Sequence, residues 1–281
     1  MQEVGVNKRL KRIFSHPSGR IVIVPLDDSL LAGPINGLEE LKTKAEKIVS
    51  AFPNAIIGFQ GLLKYHSDIV GNTPTILNLT ASTTKVQHTR KSLVSSLETA
   101  IKLGVEAVAV HVNLSSMYEH EMLNILGKTI IECQKYGIPL MGIMYPRKEN
   151  QDGSDNNYYD LKNNDKEKYT SLVAHSARVG MELGVDIIKT QYTGDAKSFE
   201  KVVKACAPVP VVVAGGTPLQ INNLLDIAEG VVKAGGAGVS FGRNIFTREN
   251  PIPCIEAVKD IVLEGMTKNE VLKKYEKFFH E

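Results

Sequence analysis

Eight short runs rich in Val and Ile punctuate this chain, and segments with apolar residues at helical spacing lie between them. The runs are RIVIVPL (20–26), AIIGF (55–59), TILNL (75–79), AVAVHV (107–112), PLMGIMY (139–145), DIIKT (186–190), VPVVVAG (209–215) and GVSFG (238–242). Near-continuous apolarity, in place of strict alternation, marks strands buried on both faces, the condition of a parallel sheet covered by helices. Eight strand-helix units predict an α/β fold of the (β/α)8 TIM-barrel type. Such barrels need about 250 residues, so the 281 residues read as one barrel domain spanning 1–281, with no room for a second.

The intervening helices are expected at LEELKTKAEKIVSAF (38–52), SLVSSLETAIKLG (92–104), LNILGKTIIECQKYG (123–137), SLVAHSARVGMELG (171–184), SFEKVVKACA (198–207) and LLDIAEGVVKAGG (224–236). Several end in Gly, as helix C-caps do. The segment TKNEVLKKYEKFF (267–279) predicts an added C-terminal helix. One connection breaks the pattern of short loops: residues 147–169, after the fifth run, are polar and rich in Asn and Asp. A segment of that length is either a lid or a mobile surface insertion.

Composition removes several function classes. Lys plus Arg is 33 and Asp plus Glu 31, and no basic run is interleaved with aromatics, so the footprint of a nucleic-acid binder is missing. The three cysteines, Cys133, Cys206 and Cys254, are widely spaced and odd in number, which fits a reducing, cytoplasmic setting better than a disulfide framework. No stretch of about 18 apolar residues predicts a membrane span, and the N-terminus lacks the apolar core of a signal peptide. The seven histidines show no HxH or HExxH spacing, so no metal site is expected.

In a (β/α)8 barrel, catalytic groups sit at the C-terminal ends of the strands. The polar residues that end the runs are therefore the candidates: Asp27 and Asp28, His111 and Asn113, Tyr145 and Arg147, Lys189, Gly215 and Gly216, and Gly242 with Arg243. Lys189 follows the apolar VDII, where burial disfavours an ammonium and yields the free amine that attacks a ketone. A lysine reaching past the strand end to solvent is the competing reading. Tyr145 can move a proton if a nearby cation, for which Lys189 is the candidate, lowers its pKa; otherwise it is a packed ring with a wet hydroxyl. Asp27 can orient substrate hydroxyls or shuttle a proton, or simply cap a helix. The glycines after the seventh and eighth runs, with Arg243, occupy the places where barrels bind phosphate. His111 reads more readily as a supporting histidine than as a metal ligand.

These motifs resemble those of the archaeal-type class I aldolases, a group related to deoxyribose-phosphate aldolase. The resemblance spans about residues 20–250 and is carried by PLDDSLLAGPINGL, AVAVHVN, MYPR, HSARVGMELGVDIIKTQYTGD, VPVVVAGG and GVSFGRNIF. It implies that Lys189 forms a Schiff base, that Tyr145 is the acid/base and that Asp27 assists. It further implies that Gly215, Gly216, Gly242 and Arg243 hold a phosphate; Asp28, His111 and Arg147 are expected at the ligand site from their place at the strand ends. No dissociable cofactor is then expected.

Within the group, the KTxYTGD and VAGG segments are more like the heptulosonate synthases than the fructose-bisphosphate aldolases, which tend to carry Trp where this chain has Ile143. The implied partners are small molecules: a phosphorylated ketose such as dihydroxyacetone phosphate, and an aldehyde, with aspartate semialdehyde preferred. A homo-oligomer is expected. Where the family has Asp-His-Gly and His-Lys-Gly, this chain has Asp27-Asp28-Ser29 and Phe59-Gln60-Gly61, replacing basic groups expected beside the ligand. A fructose-bisphosphate aldolase, a thiolase-like enzyme acting on a phosphorylated diketone, and a barrel that binds phosphorylated ligands without turnover remain the alternatives.

Overall fold

The computed structural model describes residues 4–279. Eight parallel strands close into a barrel: β1 Ile21–Pro25, β2 Ala55–Gly58, β3 Thr75–Asn78, β4 Ala107–Leu114, β5 Leu140–Pro146, β6 Ile187–Gln191, β7 Val211–Ala214 and β8 Gly238–Ser240. Each pairs with its sequence neighbours, and β8 closes on β1 through Ile21↔Gly238, Val22↔Val239 and Ile23↔Ser240. All eight expected runs are strands of this sheet.

Side chains that alternate along each strand enter two separate cores. Ile21, Ile23, Ile57, Ile76, Ala109, Met141, Ile143, Ile187 and Val212 pack inside the barrel. Val22, Val24, Ile56, Leu77, Val108, Met144, Ile188, Val213 and Val239 pack outward beneath the helices. Both faces are apolar, which is why the runs carry no polar alternation. Continued by two residues at a time, the inward series leads to Asp27 on the β1 side, Asn78 on β3, His111 on β4, Tyr145 on β5, Lys189 on β6 and Ser240 on β8.

The helices Glu119–Tyr136 and Lys166–Leu183, like Leu97–Leu103, end on glycines in the left-handed region, Gly137, Gly184 and Gly104. Two helices not read from the sequence complete the barrel. Val4–Ile13 lays Leu10 and Ile13 against the inner core, and Arg9 donates to the Gly137 carbonyl at 3.1 Å in the turn before β5, so this helix closes the end opposite the strand C-termini. Ile252–Val262 starts behind Pro251 and buries Ile255, Val258 and Ile261, completing the outer ring beside β1.

Two expectations are corrected. The helix expected over 92–104 begins only at Leu97, because the Ser96 hydroxyl caps it by accepting from the Thr99 N–H at 3.1 Å. Ser92–Leu93 instead pairs antiparallel with Thr80–Ala81. The C-terminal helix spans only Lys268–Lys274, opened by a capping box between Thr267 and Glu270, and gives way to a 3-10 turn at Glu276–Phe278. The connection after β5 carries secondary structure of its own: Lys148–Glu149 pairs with Asp155–Asn156, and a short helix, Tyr159–Asn164, leads into Lys166–Leu183. Among the described residues no helix is long and apolar enough to cross a membrane.

Candidate active site

A cavity of about 280 Å³ opens at the C-terminal ends of the strands, and Asp27, Asp28, His111, Tyr145, Arg147, Lys189, Gly215, Gly216, Gly242 and Arg243 line it, whereas Asn113 is fully buried behind the wall. Its size is at the lower end of that of small-ligand pockets.

Lys189 stands on the inner face of β6, in register with Ile143 of β5 and Val212 of β7. Only 7% of it is exposed. Burial among these apolar neighbours pushes its pKa below the ordinary lysine value, while Asp27 and Asp28 pull the other way. The next residue, Thr190, points outward and donates its hydroxyl to the Met144 carbonyl at 2.8 Å, pinning β6 to β5. The amine is thus held on a rigid element, within the influence of two carboxylates.

Asp27 occupies the N-cap position of the helix Asp28–Ala32 but makes no capping bond. Its carboxylate instead accepts from Asn78 Nδ2 at 2.8 Å. Asn78 Oδ1 in turn accepts from the Thr80 N–H at 3.1 Å, and Thr80 Oγ1 accepts from the His111 N–H at 2.9 Å. This chain fixes the carboxylate's orientation from β1 across to β4. Asp28 lies 3.4 Å from Arg243 Nε, and burial together with the Asp27 charge pushes its carboxyl pKa up.

For Tyr145 the expected effect of a cation is overturned. The neighbouring cation is Arg147, whose guanidinium lies 5.6 Å from the ring centroid, and its pull is outweighed by burial, so the phenol's pKa is raised. Tyr145 therefore rests protonated, a donor rather than a phenolate. His111 meets the Tyr145 ring edge-on at 4.9 Å. Burial, with Lys91 and Arg147 nearby, lowers the imidazole pKa, so the ring is neutral. Asn113 donates Nδ2 to the Thr89 carbonyl at 2.7 Å, which turns its Oδ1 toward His111 Nε2 at 2.9 Å. The imidazole thus carries its proton on Nε2 and offers Nδ1 as an acceptor.

On the β7–β8 side the wall is glycine. A Cβ on Gly215 would come 2.9 Å from Asn244 Nδ2 and 3.0 Å from Phe241 Cδ1, and Gly216 sits at φ +70. Asn244, which sequence reasoning missed, donates to the carbonyls of Gly215 and Thr217 at 3.0 and 3.1 Å and accepts from the Leu219 N–H at 2.8 Å. It ties the two turns into one cradle beside Arg243.

The opposite side was largely missed. His88 and Lys91 come from the connection after β3, and Tyr159, Lys162 and Tyr169 from the segment after β5. Their sequence signal is weak, since neither stretch is a strand end. Gln191, which continues the inward series beyond Lys189, was also missed. The Arg147 Nε donates to Asn157 Oδ1 at 2.7 Å, and Tyr169 OH to Gln191 Oε1 at 2.8 Å, so the long connection is tied back onto β5 and β6. It therefore forms part of the cavity wall.

Ser240 lines the same cavity, and its Oγ is buried with no hydrogen-bond partner among the described residues. Gln60 is a correction in the other direction. It opens the helix Gln60–Tyr65, accepts from Ser95 Oγ at 3.3 Å, and is absent from the cavity wall. Of the two replaced basic positions, Asp28 alone changes the cavity's charge. Among the described residues no cluster of three or more His, Cys, Asp or Glu side chains is arranged to hold a metal ion.

The family model for DeoC/LacD family aldolases matches residues 21–248. The chain belongs to the DeoC/LacD aldolase family. It is 36% identical over 272 residues to 2-amino-3,7-dideoxy-D-threo-hept-6-ulosonate synthase 1 of Archaeoglobus fulgidus, covering 96% of this chain and 95% of that protein. It is 31% identical over 263 residues to 2-amino-4,5-dihydroxy-6-oxo-7-(phosphonooxy)heptanoate synthase of Streptomyces griseus, covering 92% and 91%. Among solved structures, an archaeal fructose-1,6-bisphosphate aldolase with its catalytic Lys covalently bound to the carbinolamine intermediate superposes with a TM-score of 0.79 at 26% identity, covering 92% of this chain and 99% of that one. This DeoC/LacD member is an enzyme of the class I, Schiff-base type.

Proposed function

We propose that the enzyme joins a three-carbon unit from a phosphorylated ketose, with dihydroxyacetone phosphate as the type, to aspartate semialdehyde, and that Lys189 carries the Schiff base. The observation that carries this reading is a buried lysine on the inner face of a barrel strand, flanked by Asp27 and facing a glycine-walled rim. The names of the two synthases support a seven-carbon 2-amino acid skeleton as product, which the Streptomyces name gives as phosphorylated.

The free amine of Lys189 attacks the ketone carbon, and a proton must reach the departing hydroxyl before the carbinolamine collapses to an iminium. Tyr145, protonated at rest, supplies it. The iminium then acts as the electron sink: loss of a proton from the adjacent hydroxymethyl carbon gives the enamine, with Tyr145 as phenolate or Asp27 taking that proton. The enamine carbon bonds to the aldehyde carbon, the aldehyde oxygen is protonated, and water releases the product from Lys189. The same lysine serves throughout, so the sequence of steps calls for no dissociable cofactor. Gly215, Gly216, Gly242 and Arg243 hold the phosphate and so fix the ketone carbon over the amine.

Borohydride reduction in the presence of dihydroxyacetone phosphate, followed by peptide mass spectrometry, tests the assignment. A reduced adduct on the peptide carrying Lys189 is expected. An adduct on Lys91 or on a surface lysine overturns it, as does turnover surviving in Lys189→Ala.

A further inference from the structure

We propose that Lys91 and Arg147 form a second anion subsite, which takes the carboxylate of the acceptor aldehyde and selects carboxylated aldehydes over neutral ones. This rests on the aldolase reading above and adds to it the element that recognises the acceptor.

Lys91 is 2% exposed yet lines the open cavity. Its ammonium donates to Ser82 Oγ at 2.7 Å and lies 3.3 Å from the nitrogens of the His88 ring. His88 is held neutral by burial and by the surrounding cations, its pKa pushed down to about 3, so it solvates the ammonium without neutralising it. Among the described residues no carboxylate lies within ion-pair distance of Lys91; Asp27, Asp28 and Asp155 favour its charge only from farther away. Arg147, paired with Asp155 at 3.5 Å, adds a second positive charge close enough to oppose that of Lys91. Like charges facing one cavity repel each other, and an anion that meets both removes the repulsion and part of the desolvation cost of the buried Lys91 ammonium. Burial and Arg147 leave Lys91 with a pKa of about 7, so anion binding also draws a proton onto it.

The two anion-binding rims differ in chemistry. At β7–β8, glycines bring backbone to the ligand, as a phosphate with several oxygens requires. The connection carrying Lys91, residues 81–91, has no glycine and presents one ammonium, with one guanidinium across from it. Side-chain donors of this number suit a carboxylate. The subsite is braced by the Thr89 hydroxyl on the Glu149 carboxylate and by Ser116 Oγ on the same group at 2.5 Å, which join the connections after β3, β4 and β5.

The test compares Lys91→Met, Lys91→Arg and Ser82→Ala with the unsubstituted enzyme, using dihydroxyacetone phosphate as donor and three acceptors: aspartate semialdehyde, propanal and glyceraldehyde 3-phosphate. In Lys91→Met the selectivity for aspartate semialdehyde over propanal, as a ratio of kcat/KM, should fall by about tenfold to a hundredfold, the loss sitting in KM. Lys91→Arg should recover part of it, and Ser82→Ala should shift it in the same direction by less. Equal losses for the charged and neutral aldehydes overturn the proposal, and a loss confined to glyceraldehyde 3-phosphate reassigns the subsite to a phosphate. Calorimetric titration with L-2-aminobutyrate, which keeps the carboxylate and lacks the aldehyde, reads the subsite without turnover. Binding that weakens in Lys91→Met supports the subsite even if no adduct forms on Lys189, and equal binding in both proteins overturns it.

Discussion

Along the β7–β8 rim the cavity wall is backbone and glycine, held by the single side chain of Asn244; along the facing rim it is Lys91, Arg147, Tyr159 and Lys162, held by one another's loops. The glycine rim has no atoms to spare, since a Cβ at Gly215 already meets Asn244 and Phe241 at contact distances that require something to move. The side-chain rim is assembled from two connections and can change chemistry without disturbing a strand. The proposed assignment thus ties donor recognition to the barrel's backbone and acceptor recognition to its loops.

Lys189 lies between the rims and carries every step of the proposed mechanism, so its loss should have the largest effect. Lys189→Ala should retain the fold by circular dichroism, lose the borohydride adduct and lower turnover by about a thousandfold or more in a steady-state assay. Tyr145→Phe should come next, lowering kcat by about a hundredfold to ten-thousandfold while leaving the KM for dihydroxyacetone phosphate within a few-fold of its starting value. If KM rises instead and kcat holds, the phenol belongs to binding.

Gly215→Val should break the glycine rim, raising the KM for the phosphorylated ketose by about tenfold or more. Aldehyde KM should change less, and an equal rise in both would erase the distinction between the rims. Asn157→Ala should loosen Arg147 and the connection after β5, with a rise of only about fivefold to tenfold in aldehyde KM, read in the same assay.

The smallest effect concerns stability. Lys91 has a folded pKa of about 7 against an ordinary value of 10.5. The unfolded chain therefore holds the extra proton between these values, and stability from this residue is full above 10.5 and lost as pH falls through 7. Lys91→Met removes that dependence. Its Tm should exceed that of the unsubstituted protein by most at or below pH 7, and the difference should shrink toward pH 10.5 in differential scanning calorimetry. A gap that widens with pH contradicts the buried, unpaired ammonium.

How much of this was legible beforehand differs between the rims for the same physical reason. Strand-end residues announce themselves, because an apolar run must stop where the wall meets the cavity: Lys189 after VDII and Tyr145 in MYPR were found that way. Gly215, Gly216 and Gly242 were legible because tight backbone turns demand glycine. Lys91 and His88 sit in a polar connection whose local pattern is that of any solvated loop, and nothing nearby in sequence says that the chain folds inward there. The helix Ile252–Val262 was overlooked because its prolines at 251 and 253 read as loop, although the first turn tolerates them.

The sequence by itself determined the barrel, the strand on which each candidate stands and the lysine proposed to carry the Schiff base, because burial on both faces of a parallel sheet and the limits of backbone geometry act locally. Tertiary structure decided the rest. It set Asp28 against Arg243, raised the Tyr145 pKa, removed Gln60 from the cavity wall and brought Lys91 into it. Desolvation and charge pairing depend on which distant segments meet, and no local pattern encodes that.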